Sequence, residues 1–166
     1  MERLLTVDAR RTPDLLPLVS RLSAEYARAI DDDRLEAWPE FFADPCLYSI
    51  TSADNHRRGL PAGLMYADSK GMLTDRVAAL REANIYERQS YRHVVGLPAI
   101  LGEDGDGVRA ETPFLVVRIM RDGTMDLFAT GRYLDVVVDE GGLVRLRSRI
   151  VVCDSSRIDT LLAIPI

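Results

Sequence analysis

The sequence predicts an α+β fold in which helices pack on one face of a curved antiparallel sheet. Three observations predict this class: helical periodicity in the amino half, a further helical pattern after residue 69, and strand and turn patterns in the carboxyl half. Helices that come first and a meander of strands that comes last are typical of α+β domains. A sheet that curls around its helices can form a cone with a pocket. The 166 residues are expected to form one domain, residues 1–166.

A long amphipathic helix is predicted to begin at Thr12. Thr12-Pro13-Asp14 combines a capping hydroxyl, a proline at the first helical position and an acid in the first turn. Apolar residues then recur at helical spacing: Leu15, Val19, Leu22, Tyr26 and Ile30. Asp31-Asp32-Asp33 is expected to be a solvated junction where this helix ends, because consecutive side chains point in different directions and do not converge on a metal ion.

A second helix is predicted directly after this junction. Asp33 and Glu36 have the spacing of a capping box. The apolar residues of the second helix are Leu35, Trp38, Phe41 and Phe42. Pro39 is expected to bend or shorten it.

The centre of the chain is predicted to contain a strand, a polar loop and a helix. Cys46–Thr51 alternates as a strand does, and Ser52–Gly63 is rich in turn-forming residues. A short strand-like run, Leu64–Tyr66, leads to a helix that Ser69 or Thr74 can cap. One face of this central helix carries Leu73, Val77, Leu80 and Asn84.

Four strands are predicted in the carboxyl half: Arg92–Ile100, Thr112–Met120, Met125–Val138 and Leu143–Cys153. Asp122-Gly123 is a strong hairpin signal between the second and third. Gly131 is expected to mark a bulge or bend. In the last strand, Arg145, Arg147 and Arg149 alternate with mainly apolar residues, which predicts one face lined by arginine and one apolar face.

Composition narrows the functional classes. The chain is 47% hydrophobic and 28% charged, as in ordinary soluble domains. A net charge of −5 gives no electrostatic basis for binding nucleic acid or an anionic membrane. Cys46 and Cys153 are too few for a disulfide framework and are expected to be reduced core thiols. With no signal-peptide pattern and no membrane-length apolar run, the expected location is the cytoplasm.

Few residues are candidates for catalysis or for metal binding. His56 and His93 are the two histidines, and with Asp54 or Asp68 they would form an iron site only if the fold happened to bring them together. His93 is interpreted as a hydrogen-bonded structural histidine, and His56 as a surface residue on a loop. No glycine-rich phosphate loop precedes a helix, and Ser155-Ser156 and the cysteines have no histidine nearby in the sequence.

The segment around the central helix contains a series of short, distinctive sequence motifs. Residues 67–88 contain ADS, MLTDR and ALREANIYER in succession, and YRH and GLP follow at 91–93 and 96–98. Further matching segments are Trp38-Pro39, Phe41-Phe42, Asp54-Asn55-His56, Thr112-Pro113-Phe114, Arg118-Ile119-Met120, Val152–Ser155 and Asp159–Leu161. From about Ile30 onward, the chain resembles the small (beta) subunits of aromatic-ring-hydroxylating dioxygenases. Within that family it most resembles those of enzymes that act on terephthalate and on substituted benzoates and salicylates.

The resemblance implies a nuclear-transport-factor-2-like (NTF2-like) or cystatin-like cone, and a cytoplasmic hexamer of three large (alpha) and three small subunits. It implies that the Rieske [2Fe–2S] cluster and the mononuclear non-haem Fe(II) lie in the alpha subunit. A separate reductase supplies electrons from NAD(P)H. The small subunit of this family is structural, so no catalytic, cofactor-binding or metal-binding residue is expected in this chain.

The residues predicted to contact other subunits lie after the central helix, on the last strand and in the apolar final segment. They are Tyr86, Glu87, Arg88, Arg145, Arg147, Arg149, Leu161, Leu162, Ile164 and Ile166. The final segment, Leu161–Ile166, is expected to dock either on its own domain or on another subunit, because exposed apolar segments favour aggregation.

Two alternative functions stay open at this stage. One is a free-standing isomerase or dehydratase that uses Tyr48 or Tyr66 with His93 or Asp68 as an acid–base pair. The other is a homo-oligomer that binds a small ligand without a large subunit.

Overall fold

The computed structural model describes residues 12–60, 63–83, 88–105, 107–157 and 162–166. Within these ranges the helices are α1 (Thr12–Asp31), a 3-10 helix (Leu35–Phe41), α2 (Ala53–Arg57) and α3 (Lys70–Ala83). The strands are β1 (Phe42–Ser52), β2 (Met65–Ala67), β3 (Gln89–Val95), β4 (Ala99–Asp104), β5 (Gly107–Met120), β6 (Met125–Glu140) and β7 (Leu143–Cys153). The predicted order of elements, helices before a strand meander, is confirmed.

The two α-helices predicted from periodicity form where they were expected. The buried residues of α1 are Val19, Leu22, Tyr26 and Ile30, and those of α3 are Leu73, Val77 and Leu80. Ser69 caps α3, because its Oγ accepts a hydrogen bond from the Met72 N–H at 3.3 Å. Asn84, at the end of the predicted apolar face, lies outside the described residues.

The second helix differs from its prediction. It is a 3-10 helix with Pro39 inside it, and no side chain caps it. Proline has no N–H to donate and clashes with an α-helical turn, which favours this short, tight helix. Asp33 and Glu36 do not form a capping box. They bind Arg81 of α3 instead, with Nη1 at 2.8 Å from Asp33 Oδ1 and Nε at 2.7 Å from Glu36 Oε1.

The predicted loop Ser52–Gly63 contains a short helix, α2. Ser52 stands at its N-cap position, and its Oγ accepts a hydrogen bond from the Asn55 N–H at 3.2 Å. His56 therefore lies on a helix and not on a loop. It is half-buried.

The strands in the described part of the chain form a seven-stranded sheet in the order β2-β1-β7-β6-β5-β3, and β4 pairs with β5. Neighbouring strands are antiparallel except β1 and β7, which are parallel. The predicted antiparallel character is thus confirmed, but the parallel pair was not predicted. The helix α1 packs on one face, which we call the inner face; the opposite face is the outer face.

The predicted strand Arg92–Ile100 is two strands, β3 and β4. The chain leaves β3 at Gly96, whose N–H donates to the Pro113 carbonyl oxygen at 2.8 Å. A Cβ at Gly96 would lie 2.7 Å from Pro113 Cγ, so this close approach requires glycine. The chain then turns back onto the other half of β5 as β4.

The predicted bulge at Gly131 is wrong. Gly131 pairs in register with Phe114 on one side and Cys153 on the other. Glycine is required there because a Cβ would clash with the Val152 carbonyl oxygen of the neighbouring strand. The bulge in β6 lies at Phe128, where Val116 pairs with Ala129 and the next residue of β5 pairs with Leu127.

A second bulge overturns the predicted arginine-lined face of β7. Arg147 is the extra residue, because Leu146 pairs with Val137 whereas Ser148 pairs with Val136. A bulge of one residue shifts the alternation of side chains by one position beyond it. Arg149 therefore points to the inner face, as Leu146 does, and does not share a face with Arg145.

Arg149 is completely buried and forms an ion pair across the inner face. It donates to Asp135 through Nε at 2.9 Å and through Nη2 at 2.8 Å. Its guanidinium lies between the rings of Tyr26 and Tyr133, 4.1 Å and 4.0 Å from their centroids. Burial alone would lower the pKa of Arg149, but the charge and hydrogen bonds of Asp135 more than offset it, so the pKa is raised. Arg149 thus stays protonated, and its contacts with Tyr26, Asp135 and Tyr133 join α1 to β6 and β7.

The final segment docks on its own domain. Ile164, Pro165 and Ile166 are buried. The Ile166 carbonyl oxygen accepts hydrogen bonds from the hydroxyls of Tyr26, at 3.1 Å, and Tyr48, at 2.8 Å. Tyr48 also accepts from the Ile166 N–H at 3.2 Å. Of the two docking sites predicted for this segment, the structure therefore selects the interior of its own cone for residues 164–166.

Replacing Arg149 by methionine is expected to lower the free energy of unfolding by about 3–5 kcal/mol, because Asp135 would be left buried without a counter-charge. Urea denaturation followed by circular dichroism measures this loss. The double variant Arg149→Met/Asp135→Leu is expected to lose less than the sum of the single variants. Arg57→Met is the control, with an expected change within about 0.5 kcal/mol, because the Arg57 side chain is 73% exposed. Equal losses for the two single arginine variants would contradict the prediction.

Replacing Tyr48 by phenylalanine is expected to lower the free energy of unfolding by about 1–2 kcal/mol, because the Ile166 N–H loses its acceptor inside the protein. Tyr66→Phe is a matched control, since Tyr66 is 56% exposed on the neighbouring strand. The two variants are compared by their urea midpoints. If both midpoints equalled that of the unmodified chain, the hydrogen bonds to residue 166 would contribute nothing to stability.

Candidate functional site

The residues predicted to contact other subunits are not on one surface. Arg88 is exposed just before β3, and Arg147 is half-buried at the bulge of β7. Arg145 is mostly buried against its own domain, where its Nη1 donates to the Glu40 carbonyl oxygen. Arg149 is buried in the core and has no exposed side chain to offer a partner.

The final segment likewise offers little surface. Ile164 and Ile166 are buried in their own domain, and Leu162 is half-buried. Tyr86, Glu87 and Leu161 lie outside the described residues.

The outer face of the sheet carries an apolar surface that was not predicted from the sequence. Val94 of β3 pairs with Leu115 of β5, while Val117 of β5 pairs with Leu127 of β6. At the next position of β5 on this face, Ile119 pairs with Met125. Residues that pair across antiparallel strands share a face, and so do alternate residues along one strand. We call this set the outer apolar patch: Val94, Leu115, Val117, Ile119, Met125 and Leu127.

Three members of the outer apolar patch are strongly exposed: Val94 at 55%, Leu127 at 64% and Met125 at 69%. Exposed apolar patches on soluble proteins commonly mark sites of protein–protein contact. The alternation of Leu115, Val117 and Ile119 was a signal for this face in the sequence. The bulge at Phe128, which brings Leu127 and Met125 onto the same face, gave no comparable signal.

The proposed acid–base residues are not brought together. Tyr48 lies on β1 and His93 on β3, and three strands separate these two in the sheet. Burial raises the pKa of the Tyr48 hydroxyl well above its usual value, so Tyr48 stays protonated and bonded to residue 166. Asp68 and Tyr66 are exposed. The structure therefore gives Tyr48 and His93 no common site, and it leaves Tyr66 and Asp68 exposed to solvent.

His93 is hydrogen-bonded within the protein, as predicted. Its backbone N–H donates to the Asp31 carboxylate at 3.0 Å, and its Nδ1 lies 2.6 Å from Asp31 Oδ1. The Asp31 side chain is only 4% exposed, so the prediction of a solvated triple aspartate is wrong for its first member. Asp32 and Asp33 are exposed. The Asp31–His93 contact ties the end of α1 to β3, because both groups need a partner when buried.

The described residues contain no group of three or more His, Cys, Asp or Glu side chains placed to hold a metal ion. His56 and His93 therefore do not converge with Asp54 or Asp68 on an iron site. Cys46 and Cys153 are free and buried. Burial raises the pKa of Cys153 to about 12 and also raises that of Cys46, which does not favour a thiolate nucleophile.

An open cavity of about 470 Å³ lies between β2 and α3. Trp38 and Tyr48 form its floor, and Met65, Ala67 and Leu73 line its walls. Leu64, Tyr66 and Met72 stand at its exposed rim. Of the residues proposed for acid–base chemistry, Tyr48 and Tyr66 line this cavity.

No helix in the described part of the chain is long and apolar enough to cross a membrane.

Comparison with known proteins places these features in a family. Residues 25–160 match the family described as ring hydroxylating beta subunit. The terminal oxygenase component subunit beta 2 of terephthalate 1,2-dioxygenase from a Comamonas species is 51% identical over 89% of this chain and 96% of its own length. The small subunit of anthranilate 1,2-dioxygenase from Burkholderia cepacia is 40% identical over 87% of this chain and 90% of its own length.

A solved structure agrees with this assignment. A crystal structure of a protein assigned as the beta subunit of an aromatic-ring-hydroxylating dioxygenase from Novosphingobium aromaticivorans superposes with a TM-score of 0.85. The two chains are 43% identical, and the match covers 93% of this chain and 99% of the other. The fold is therefore the NTF2-like cone of those subunits, as predicted. The chain belongs to the ring hydroxylating beta subunit family and is a beta subunit of an aromatic-ring-hydroxylating dioxygenase.

Proposed function

We propose that this chain is a non-catalytic structural subunit that holds alpha subunits together in a cytoplasmic hexamer of three alpha and three beta subunits. The observation that supports this most directly is the 51% identity to a terephthalate dioxygenase beta subunit over nearly the full length of both chains. The interior of the cone agrees with a structural role, because Tyr26, Tyr48, Tyr133 and Arg149 are committed to contacts within the domain.

The catalytic centres of the proposed complex are assigned to the alpha subunit. In the proposed complex the alpha subunit holds the Rieske [2Fe–2S] cluster and the mononuclear non-haem Fe(II), and a separate reductase delivers electrons from NAD(P)H. The described residues of this chain do not fit such groups, since no three or more of their His, Cys, Asp and Glu side chains are placed to hold a metal ion. The contribution of this chain to catalysis is therefore assembly.

The proposed substrate of the complex is an aromatic carboxylate. The two relatives compared above are named for terephthalate and anthranilate, and both molecules are benzene rings that carry a carboxylate. The substrate would bind in the alpha subunit, so this chain would affect substrate choice only through packing.

The outer apolar patch is the surface proposed to contact the alpha subunit. It presents exposed apolar side chains on three adjacent strands, and water would be excluded from them by a partner. Arg88 lies at the β3 end of the same region and is proposed as part of the rim. Tyr86 and Glu87, which precede it in the sequence, are also proposed contacts. The half-buried Arg147 of β7 remains a proposed contact.

Co-expression with an alpha subunit from the same organism tests the main proposal. The expected product is a complex with the mass of three alpha and three beta subunits, measured by size exclusion with light scattering. Iron and the visible absorption of a Rieske cluster are expected only in samples that contain the alpha subunit. This chain alone is expected to be folded and colourless. A chain that elutes alone in the presence of a soluble alpha subunit would contradict the proposal.

The double variant Met125→Glu/Leu127→Glu tests the contact surface. It is expected to lower the amount of complex at least about tenfold, because two charges would have to be buried against an apolar partner. The stability of the isolated chain is expected to stay nearly unchanged, since both side chains are exposed.

Leu143→Glu is the matched control for that experiment. Leu143 is 58% exposed but lies at the start of β7, beside the β6–β7 turn, outside the outer apolar patch. The control is expected to assemble as the unmodified chain does. Normal assembly of the double variant would exclude the outer apolar patch as the contact with the alpha subunit.

A further inference from the structure

The cavity between β2 and α3 has the form of a small-molecule site, and the structural role proposed above does not use it. Its volume of about 470 Å³ lies within the range of ligand pockets, roughly 300–1,000 Å³. Its floor is rigid, because the Trp38 ring packs edge-on against both Phe42 and Tyr48 at centroid distances of 5.7 Å and 5.1 Å. Most of its lining is apolar, as in typical pockets for small ligands.

One positively charged side chain lies among these apolar lining residues. Arg76 of α3 lines the cavity, and its Nη2 donates to the carbonyl oxygens of Leu162 and Ala163 at 3.1 Å and 3.3 Å. These two bonds fix the guanidinium in place. The Nε of Arg76 is buried and has no hydrogen-bond partner among the described residues. Because that atom has almost no accessible surface, a ligand in the cavity would contact the part of the guanidinium that lines the cavity.

The charges around the cavity favour an anionic acceptor at its inner end. Asp75 also lines the cavity, but its side chain is exposed to solvent, where its charge is screened. Arg76 is half-buried, so the interaction of its guanidinium with an anion is screened less than that of an exposed arginine. A guanidinium binds carboxylates more strongly than neutral acceptors, since the hydrogen bonds are charge-assisted.

We propose that this cavity binds a small cyclic monocarboxylate, with the ring against Trp38 and Leu73 and the carboxylate on Arg76. The ring would replace water on the apolar walls, and the carboxylate would accept a hydrogen bond from the part of the Arg76 guanidinium that lines the cavity. The ligand would contact α3 and, through Arg76, the final segment. Binding would therefore stabilise the docking of that segment. This inference does not depend on whether the chain assembles with an alpha subunit.

Trp38 provides a direct measurement, because it is the single tryptophan of the chain and forms the floor of the cavity. The full chain is titrated with cyclohexanecarboxylate, and tryptophan fluorescence is recorded. Cyclohexanecarboxylate does not absorb in the tryptophan range, so a change in emission reports binding. The matched probes are cyclohexanecarboxamide, which is neutral, and cyclohexylmethylamine, which is cationic. The expected result is a saturable change with the carboxylate at millimolar concentrations or below, with at least about tenfold weaker binding of both other probes.

The variant Arg76→Gln tests the role of the cation, and Arg28→Gln is its control. Arg28 is an exposed helical arginine on α1, outside the cavity, so this control removes the same charge. Arg76→Gln is expected to weaken carboxylate binding at least about tenfold, and Arg28→Gln to leave it unchanged. The probe comparison on the unmodified chain remains decisive if Arg76→Gln does not fold. Absence of a saturable change with the carboxylate, equal binding of the carboxamide, or unchanged binding by folded Arg76→Gln would each overturn the proposal.

Discussion

The buried ion pair between Arg149 and Asp135 determines how the rest of this cone is arranged. Two charges in a dry interior are tolerated only with good geometry, and the two short hydrogen bonds and the flanking rings of Tyr26 and Tyr133 provide it. The pair lies between the helix α1 and the two strands β6 and β7. Its geometry therefore fixes the position of α1 on the sheet and the register of those strands.

The bulge at Arg147 makes this pair possible. Without the extra residue, strict alternation along β7 would place Arg149 on the same face as Arg145, away from Asp135. Residue 166 packs in the same interior, where the hydroxyls of Tyr26 and Tyr48 hold it. Tyr26 takes part in both contacts. The same aromatic side chain thus connects the ion pair with the final segment.

Much of the fold was predictable from local signals, whereas the details that place side chains were not. Helices α1 and α3 follow from apolar residues at a spacing of three and four, and β7 begins and ends where alternation and turns predicted. The bulges at Phe128 and Arg147 depend on pairing with neighbouring strands, which a single strand does not encode. For the same reason the partner of Asp31 was missed, because His93 is distant along the chain and meets it only through tertiary packing.

The arrangement of polar and apolar side chains agrees with the proposed assembly role. Inside the cone, Tyr48, Arg149 and Asp135 are engaged with the domain itself. Among the described residues, the outer apolar patch exposes Leu127 and Met125 by more than 60%. Both properties depend on the two bulges, since one turns Arg149 inward and the other turns Leu127 outward. The same kind of local irregularity thus places a charged side chain in the interior of the cone and apolar side chains on its outer face.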